Sequence, residues 1–260
     1  MLNYMGASVN IFKIGEIKKE KLSGNILTIP QQQTLADSGA FDEIGTPKSI
    51  LKKIKETDKF ISFKVTHHSE TQKKPVRIFW ETLEENSPLG NKGTKEVTGG
   101  YQEIYEFPFI INLSEMEGYI FAKKDIANSF QKRLRKEGIM DLKNLKIDLA
   151  KLDDLPETCN IWGIWEDGIG RCKKKALFGI EVNKENQHDK DKATAYNLEY
   201  DFGDETIDLV ISSTGGISSR SKQITEDDLL TIYNKLKNLN AIKEGVVNSE
   251  AEEEIDNEEN

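Results

Sequence analysis

The segment of residues 145–213 constrains the fold of this chain most strongly, because strand patterns follow one another there without a helical pattern between them. Short turns can join antiparallel strands, whereas parallel strands need a long crossover that is usually a helix. The segment therefore predicts an antiparallel sheet. Its predicted strands span residues 145–152, 160–165, 175–182, 194–201 and 205–213.

Residues before this segment add further strand patterns. Residues 86–100 are rich in glycine and lysine, and they predict a long exposed hairpin loop between two of these strands. The additional strands are predicted at residues 9–14, 59–66, 76–83 and 101–113.

Three helices are also predicted. Thr46 and Pro47 indicate the start of the first, since threonine caps helices and proline favours their first position. Gly138 is a favourable stop for the second, and Thr225 with Asp228 resembles a capping box at the start of the third. The chain is therefore predicted to be α+β and mainly antiparallel, with helices at residues 46–57, 124–137 and 225–239.

The charge of the chain is concentrated at its C-terminal end. The formal net charge is −9, and residues 248–260 contain seven acidic residues and no basic one, which leaves −2 for residues 1–247. A segment so acidic and so poor in apolar side chains is predicted to be disordered. The predicted organisation is an N-terminal α+β region at residues 1–140, a C-terminal antiparallel meander with a helix at 141–247, and an acidic tail at 248–260.

The two cysteines, Cys159 and Cys172, have neither zinc-site spacing nor positions that the predicted strand pairing brings together. The N-terminus lacks the apolar core of a signal peptide, and no run approaches the roughly eighteen apolar residues of a membrane span. We therefore expect a reduced, cytoplasmic protein without a membrane partner. Abundant lysine, asparagine and isoleucine are typical of AT-rich coding sequences, which suggests a bacterial or phage source.

Residues 159–182 predict a hairpin in which tryptophans lie beside cations. Two glycines within residues 166–170 suit the turn, and after it apolar side chains at even positions alternate with charged ones at odd positions, although Leu177 interrupts the pattern. The even positions are therefore predicted to be buried. If paired residue numbers sum to 335, Lys173 lies opposite Trp162, and if they sum to 336, Arg171 lies opposite Trp165.

A tryptophan beside cations can stack on a base while the cations neutralise phosphates, and such stacking contributes roughly 1–3 kcal/mol per base. The leading prediction is thus a protein without enzymatic activity that binds RNA or single-stranded DNA. An edge strand protected by lysines, or a simple cation–π contact, would give the same pattern. The predicted nucleic-acid-binding residues are Trp162, Trp165, Arg171, Lys173 and Lys175, continued by Lys132, Arg133 and Arg135 on the outer side of the second helix.

Three carboxylates provide the alternative prediction. Glu199, Asp201 and Asp208 are expected on the outer face of the hairpin at residues 194–213, away from its apolar side chains. A pairing sum of 407 sets Glu199 across from Asp208, where Mg²⁺ or a lysine would offset the repulsion, whereas a sum of 405 separates them. The alternative function is therefore a Mg²⁺-dependent nuclease. A third hypothesis is a protein-interaction module of a bacterial defence or phage counter-defence system. The leading prediction needs no metal or cofactor.

Overall fold

The computed structural model of the chain describes residues 7–22, 26–28, 48–69, 72–82, 91–168, 174–184, 192–203, 205–221 and 224–244, with the backbone alone at 26–28, 72–82, 91–101 and 244. The two α-helices in these residues are α1 (Lys124–Lys136) and α2 (Glu226–Asn238), and short 3-10 helices span Lys19–Lys21, Leu149–Asp154 and Val182–Lys184. The strands are β1 (Ser8–Ile17), β2 (Ile26–Thr28), β3 (Lys48–Glu56), β4 (Phe60–His68), β5 (Gln72–Thr82), β6 (Asn91–Tyr101), β7 (Ile104–Asn112), β8 (Glu117–Ile120), β9 (Met140–Ile147), β10 (Thr158–Asp167), β11 (Lys174–Phe178), β12 (Ala193–Asp201), β13 (Thr206–Ser212), β14 (Gly216–Ser219) and β15 (Ile242–Glu244).

Thirteen of these strands form one antiparallel sheet, in the order β11-β10-β12-β13-β14-β1-β8-β7-β4-β3-β2, with β9 beside β1 and β15 beside β9. The remaining pair, β5 and β6, forms a separate hairpin. The predicted α+β architecture with mainly antiparallel strands is therefore confirmed. Strands from both predicted regions meet at β1, and the boundary near residue 140 stays a prediction. The acidic tail lies outside the described residues.

Two apolar cores lie on opposite faces of the sheet, because successive side chains of a strand point to opposite faces. Within β1, Val9 and Ile11 belong to the core that α2 covers, whereas Phe12 and Ile14 belong to the core that α1 covers. On the α2 side, Tyr196 of β12 and the apolar residues Ile207, Leu209 and Ile211 of β13 are buried, in agreement with the predicted apolar face of this hairpin. Each helix thus covers one half of the sheet from one side.

The two halves repeat one order of elements: strand, tight turn, short strand, helix and closing strand. In the first half these are β7, β8, α1 and β9, and in the second β13, β14, α2 and β15. The tight turns contain Met116 and Gly215, and the helices are followed by Gly138 and Asn240, all four with positive φ. Gly138 was predicted as the stop of α1, and left-handed backbone after a helix is typical of such stops. Because the helices lie on opposite faces, the face of the second half that lies away from α2 carries exposed or half-buried side chains along β10 to β13, apart from the buried Asn197.

The prediction of a helix at residues 46–57 is wrong, since Lys48–Glu56 forms the strand β3. β3 pairs with β2 on one side and β4 on the other, and it buries Ser49 and Leu51 in alternation. A helix would have grouped Leu51 with Ile54, but Ile54 is exposed beside a register shift. Strand pairing has overridden the local helix signals of Thr46 and Pro47, which lie outside the described residues.

Two other predicted boundaries also differ from the structure. Residues 91–100 were predicted as loop, but they belong to β6, which pairs with β5 along its whole length. The strand predicted at 145–152 is divided, because β9 ends at Ile147 and a 3-10 helix follows whose Leu149 and Leu152 are buried. Among the described residues, no helix has the length and apolar character needed to cross a membrane.

Candidate nucleic-acid interface

The hairpin of β10 and β11 has a different register from the two that were predicted. Trp165 pairs with Ala176, so that paired numbers sum to 341 instead of 335 or 336. Neither tryptophan therefore lies opposite Arg171 or Lys173 in the ladder, because the connection is longer than the predicted turn. Arg171 and Lys173 themselves lie outside the described residues.

The buried and exposed faces of β11 are also the reverse of those predicted. Leu177, which interrupted the expected alternation, packs against the core, whereas Phe178 is 59% exposed and Ile180, beyond the strand, is 83% exposed. Lys175 points to the same side as Leu177, and its Nζ lies 3.4 Å from Oε2 of the buried Glu166. The prediction that Lys175 shares the hairpin face of Trp162 and Trp165 is therefore wrong.

Three aromatic side chains form a continuous row on the face away from α2. Phe178 stacks on Trp162 with ring centroids 6.2 Å apart, and it meets Trp165 edge to face at 5.6 Å. Trp165 is 40% exposed, while Trp162 is half-buried. We call Trp162, Phe178 and Trp165 the aromatic row. Because neighbouring rings pack against each other, each ring is held in one orientation. The outer ring surfaces stay accessible, and a ligand that stacks on them would not have to immobilise freely rotating side chains.

The sheet beside the aromatic row is lined by small side chains. Trp165 is in register with Ala195 of β12, and Ala195 with Ser212 of β13. Next to this line Gly163 faces Asn197, and a Cβ atom at Gly163 would lie only 2.4 Å from Asn197 Nδ2. The glycine therefore leaves room for the Asn197 side chain.

Cations lie at the same end of this face. Lys174 is two residues from Ala176, so it shares the face of Trp165. Lys124, the first residue of α1, donates a hydrogen bond from Nζ to Thr214 Oγ1 over 3.0 Å. Desolvation, followed by the positive charge of Lys174, lowers the pKa of Lys124.

The cations predicted on the outer side of α1 do not share one environment. Lys132 is exposed, and Arg135 is exposed while its Nη2 donates to the carbonyl oxygen of Leu142 over 2.8 Å. Arg133 is fully buried, so its predicted place on the outer side is wrong. It lies on the buried side of the helix, where its guanidinium contacts Ser49 of β3 and His67 of β4.

Arg133 belongs to a buried polar network. Its Nη1 lies 2.6 Å from Ser49 Oγ and 3.2 Å from His67 Nδ1, and its Nη2 donates to the His68 carbonyl over 3.0 Å. Since a guanidinium only donates, Nδ1 of His67 accepts and Nε2 carries the proton toward Ser129 Oγ at 3.2 Å. Desolvation, then the charges of Arg133 and His68, lowers the pKa of His67 to about 3, so its imidazole is neutral at pH 7.

The three candidate carboxylates lie at the opposite end of the same face. Glu199 pairs with Asp208, which confirms the register that sums to 407. Glu199 accepts a hydrogen bond from Asn160 Nδ2 over 3.3 Å, and Asp201 Oδ1 accepts one from the Gly203 amide over 3.1 Å. Within the described part of the chain, no three such side chains approach closely enough to hold a metal ion. The geometry of these residues gives no support to a Mg²⁺ centre.

Sequence patterns missed four residues of the candidate interface, namely Phe178, Lys174, Lys124 and Thr214. Leu177 was the signal that could have revealed Phe178. A shift of one residue in the alternation buries Leu177 and exposes its neighbour Phe178. Comparisons with models of known protein families and with curated proteins find no match to this chain. Function is therefore inferred from the geometry of the described residues.

Proposed function

We propose that the protein binds a single-stranded nucleic acid, RNA or DNA, at the hairpin end of the face that lies away from α2. The observation that carries this proposal is the aromatic row, in which Trp165 and Phe178 are 40% and 59% exposed while they contact each other. Rings held in this way offer surfaces for bases, and stacking contributes roughly 1–3 kcal/mol per base.

The proposal specifies a single strand because the bases of a duplex are already stacked on each other. A base can reach the rings of Trp165 and Phe178 only if it is unstacked, as in single strands, loops and ends. The small side chains of Ala176 and Ala195 leave room for a base beside Trp165. A duplex is therefore expected to bind more weakly than a single strand of equal length.

The charges on this face support the hairpin end as the binding position. Lys174 shares the face of Trp165, and Lys124 reaches the hairpin end of β13 through Thr214, whereas Glu199 lies four residues along β12 from Ala195, or about 13 Å away at the usual rise per residue. Phosphates at the acidic end would be repelled. Additional phosphate contacts are proposed for the exposed Lys132 and Arg135, and for Arg171 and Lys173. No phosphate contact is proposed for Arg133, because it is buried, or for Lys175, because it forms an ion pair with Glu166.

The experiment that tests the proposal is fluorescence anisotropy with labelled oligothymidylate and oligouridylate of about ten nucleotides, a length within the usual site size of such surfaces. Replacement of Phe178 by alanine is expected to weaken binding roughly 5- to 150-fold, which corresponds to the loss of one stacked base. Phe60→Ala is the matched control, because Phe60 is a 42% exposed aromatic residue in β4. Equal affinities of both variants and wild type would contradict the proposal.

A second candidate function is binding of a protein partner. Ile180 is 83% exposed and follows the edge strand β11, so an apolar side chain and a sheet edge lie side by side. Such a combination suits a protein surface. Ile180→Asn removes the apolar side chain without adding charge, and it is expected to disrupt a protein complex while it leaves oligonucleotide affinity within about twofold. The predicted cytoplasmic location belongs to the proposal, and the free, exposed thiol of Cys159 supports it.

A further inference from the structure

A line of side chains leads from the aromatic row to a cation at the start of α1. Trp165, Ala195 and Ser212 are in register across three neighbouring strands, so Ser212 lies about 10 Å from Trp165 at the usual strand spacing. Ser212 Oγ lies 3.3 Å from Thr214 Oγ1, and Thr214 Oγ1 lies 3.0 Å from Lys124 Nζ. The face thus changes from an aromatic ring to hydroxyl groups and then to an ammonium group.

The hydrogen bonds already present determine what these hydroxyl groups can still do. Thr214 Oγ1 accepts from Lys124, and Ser212 Oγ accepts from the Gly216 amide over 3.0 Å. Each oxygen therefore keeps its own proton as a donor, and at most one of the two protons is used between the two hydroxyls. At least one hydroxyl proton and the remaining protons of Lys124 can be donated to an anion.

A second ammonium group faces the same region. Lys174 shares the face of Trp165, and its charge acts on Lys124 strongly enough to contribute to the lowered pKa of Lys124. Two like charges that act on each other are stabilised when an anion lies between them, and charge-assisted hydrogen bonds to phosphate are stronger than neutral ones. Asp167, which pairs with Lys174, reduces this positive potential in part.

We propose that Lys124, Lys174 and Thr214 bind a phosphate group, namely a phosphodiester close to the nucleotide whose base stacks on Trp165. This inference rests on the proposed function, because it places the backbone of the same single strand. The strand then crosses β10, β12 and β13 from the aromatic row toward α1, away from Glu199 and Asp208.

The first test is the salt dependence of oligothymidylate binding. Each phosphate contact that is lost from a single strand decreases the slope of log K against log salt concentration by about 0.7. Lys124→Gln is therefore expected to flatten the slope by about this amount, and Asp167→Asn is expected to tighten binding. The matched control is Lys151→Gln, since Lys151 is exposed on a 3-10 helix that packs on the opposite side of the sheet.

The second test uses inorganic phosphate without nucleic acid. Titration monitored by amide NMR is expected to shift the signals of Lys124, Thr214 and Lys174, and the shifts are expected to vanish in the Lys124→Gln, Lys174→Gln variant. An unchanged salt slope in Lys124→Gln, in a protein that binds oligothymidylate through the aromatic row, overturns the phosphate site and leaves the proposed function intact. Phosphate shifts at these residues without oligothymidylate binding support the phosphate site and overturn the proposed function. Absence of both contradicts both.

Discussion

Arg133 Nη1 in α1 donates a hydrogen bond to Ser49 Oγ in β3 over 2.6 Å, and both side chains are fully buried. This bond, with the bond from Nη2 to the His68 carbonyl, ties the helix to the strands that it covers. A buried cation destabilises the folded protein unless hydrogen-bond acceptors remain in place around it. The polar network is therefore expected to be important for the stability of the first half of the sheet.

Replacement of Arg133 by glutamine is expected to lower the free energy of unfolding by about 2–4 kcal/mol, since two charge-assisted hydrogen bonds are lost and Ser49 is left with fewer partners. The midpoint and slope of urea denaturation measure this loss. Lys132→Gln is the control on the exposed side of the same helix, with an expected change of less than about 0.5 kcal/mol. Equal midpoints for both variants would show that the network contributes nothing to stability.

The pH dependence of stability is expected to report on His67, whose pKa is lowered from 6.5 to about 3 in the folded protein. The unfolded chain therefore binds a proton at higher pH than the folded protein does. Above about pH 6.5, His67 makes its full contribution to the free energy of unfolding. This contribution decreases as the pH falls toward 3, by at most about 1.4 kcal/mol per pH unit. The useful window is about pH 6.5 to 5, where most carboxylates stay ionised.

Urea denaturation of the His67→Gln variant at several pH values in this window checks the assignment. The variant is expected to lose the slope that wild type shows, because glutamine does not titrate. His68→Gln retains His67 and is expected to keep the wild-type slope. A wild-type slope that persists in His67→Gln would mean that another group causes it.

The start of α2 is expected to depend on a capping box. Thr225 Oγ1 accepts from the Asp228 amide, and Asp228 Oδ2 accepts from the Thr225 amide over 2.8 Å. Thr225→Ala is expected to cost about 0.5–2 kcal/mol in thermal or urea unfolding without a change in oligonucleotide affinity. Thr231→Ala, an exposed threonine inside the same helix, is expected to be neutral or slightly stabilising. If both variants unfold at the same midpoint, the cap does not stabilise this helix.

Removal of residues 248–260 is expected to tighten oligonucleotide binding, because it deletes seven negative charges that repel phosphates. The gain is expected to decrease as salt rises, since charges more than about 10 Å apart are screened at 0.1 M. A variant in which glutamine and asparagine replace the seven acids controls for the length of the segment. An affinity gain that does not respond to salt would contradict an electrostatic cause.

The parts of the fold that local signals control could be predicted from the sequence. Thr225 with Asp228 indicated a helix start, and alternating apolar residues such as Tyr196 gave the hairpin of β12 and β13. The register that sets Glu199 across from Asp208 was one of two alternatives. Ser49 and Leu51 could not be placed, because their strand exists only through its pairing with β2 and β4. The buried position of Arg133 could not be predicted for the same reason, because its partners lie on β3 and β4.

The arrangement of side chains at the hairpin was predicted in part. Trp162 and Trp165 lie on one exposed face with a lysine nearby, but the ring between them is Phe178 and the lysines are Lys174 and Lys124. The register of a hairpin depends on the length of its connection, which glycines alone do not determine. The contact between Lys124 and Thr214 joins residues ninety positions apart, so no local pattern could reveal it.

Base stacking on Trp165 is tested most directly by replacing this residue with phenylalanine, leucine or alanine. The affinity of each protein for oligothymidylate is measured at several salt concentrations. Stacking requires an aromatic ring, whereas a general apolar contact does not. Trp165→Phe is expected to keep most of the affinity, whereas Trp165→Leu and Trp165→Ala are expected to lose it to a similar extent at every salt concentration. Leucine that binds as tightly as phenylalanine, or alanine that binds as tightly as tryptophan, would contradict base stacking on this face.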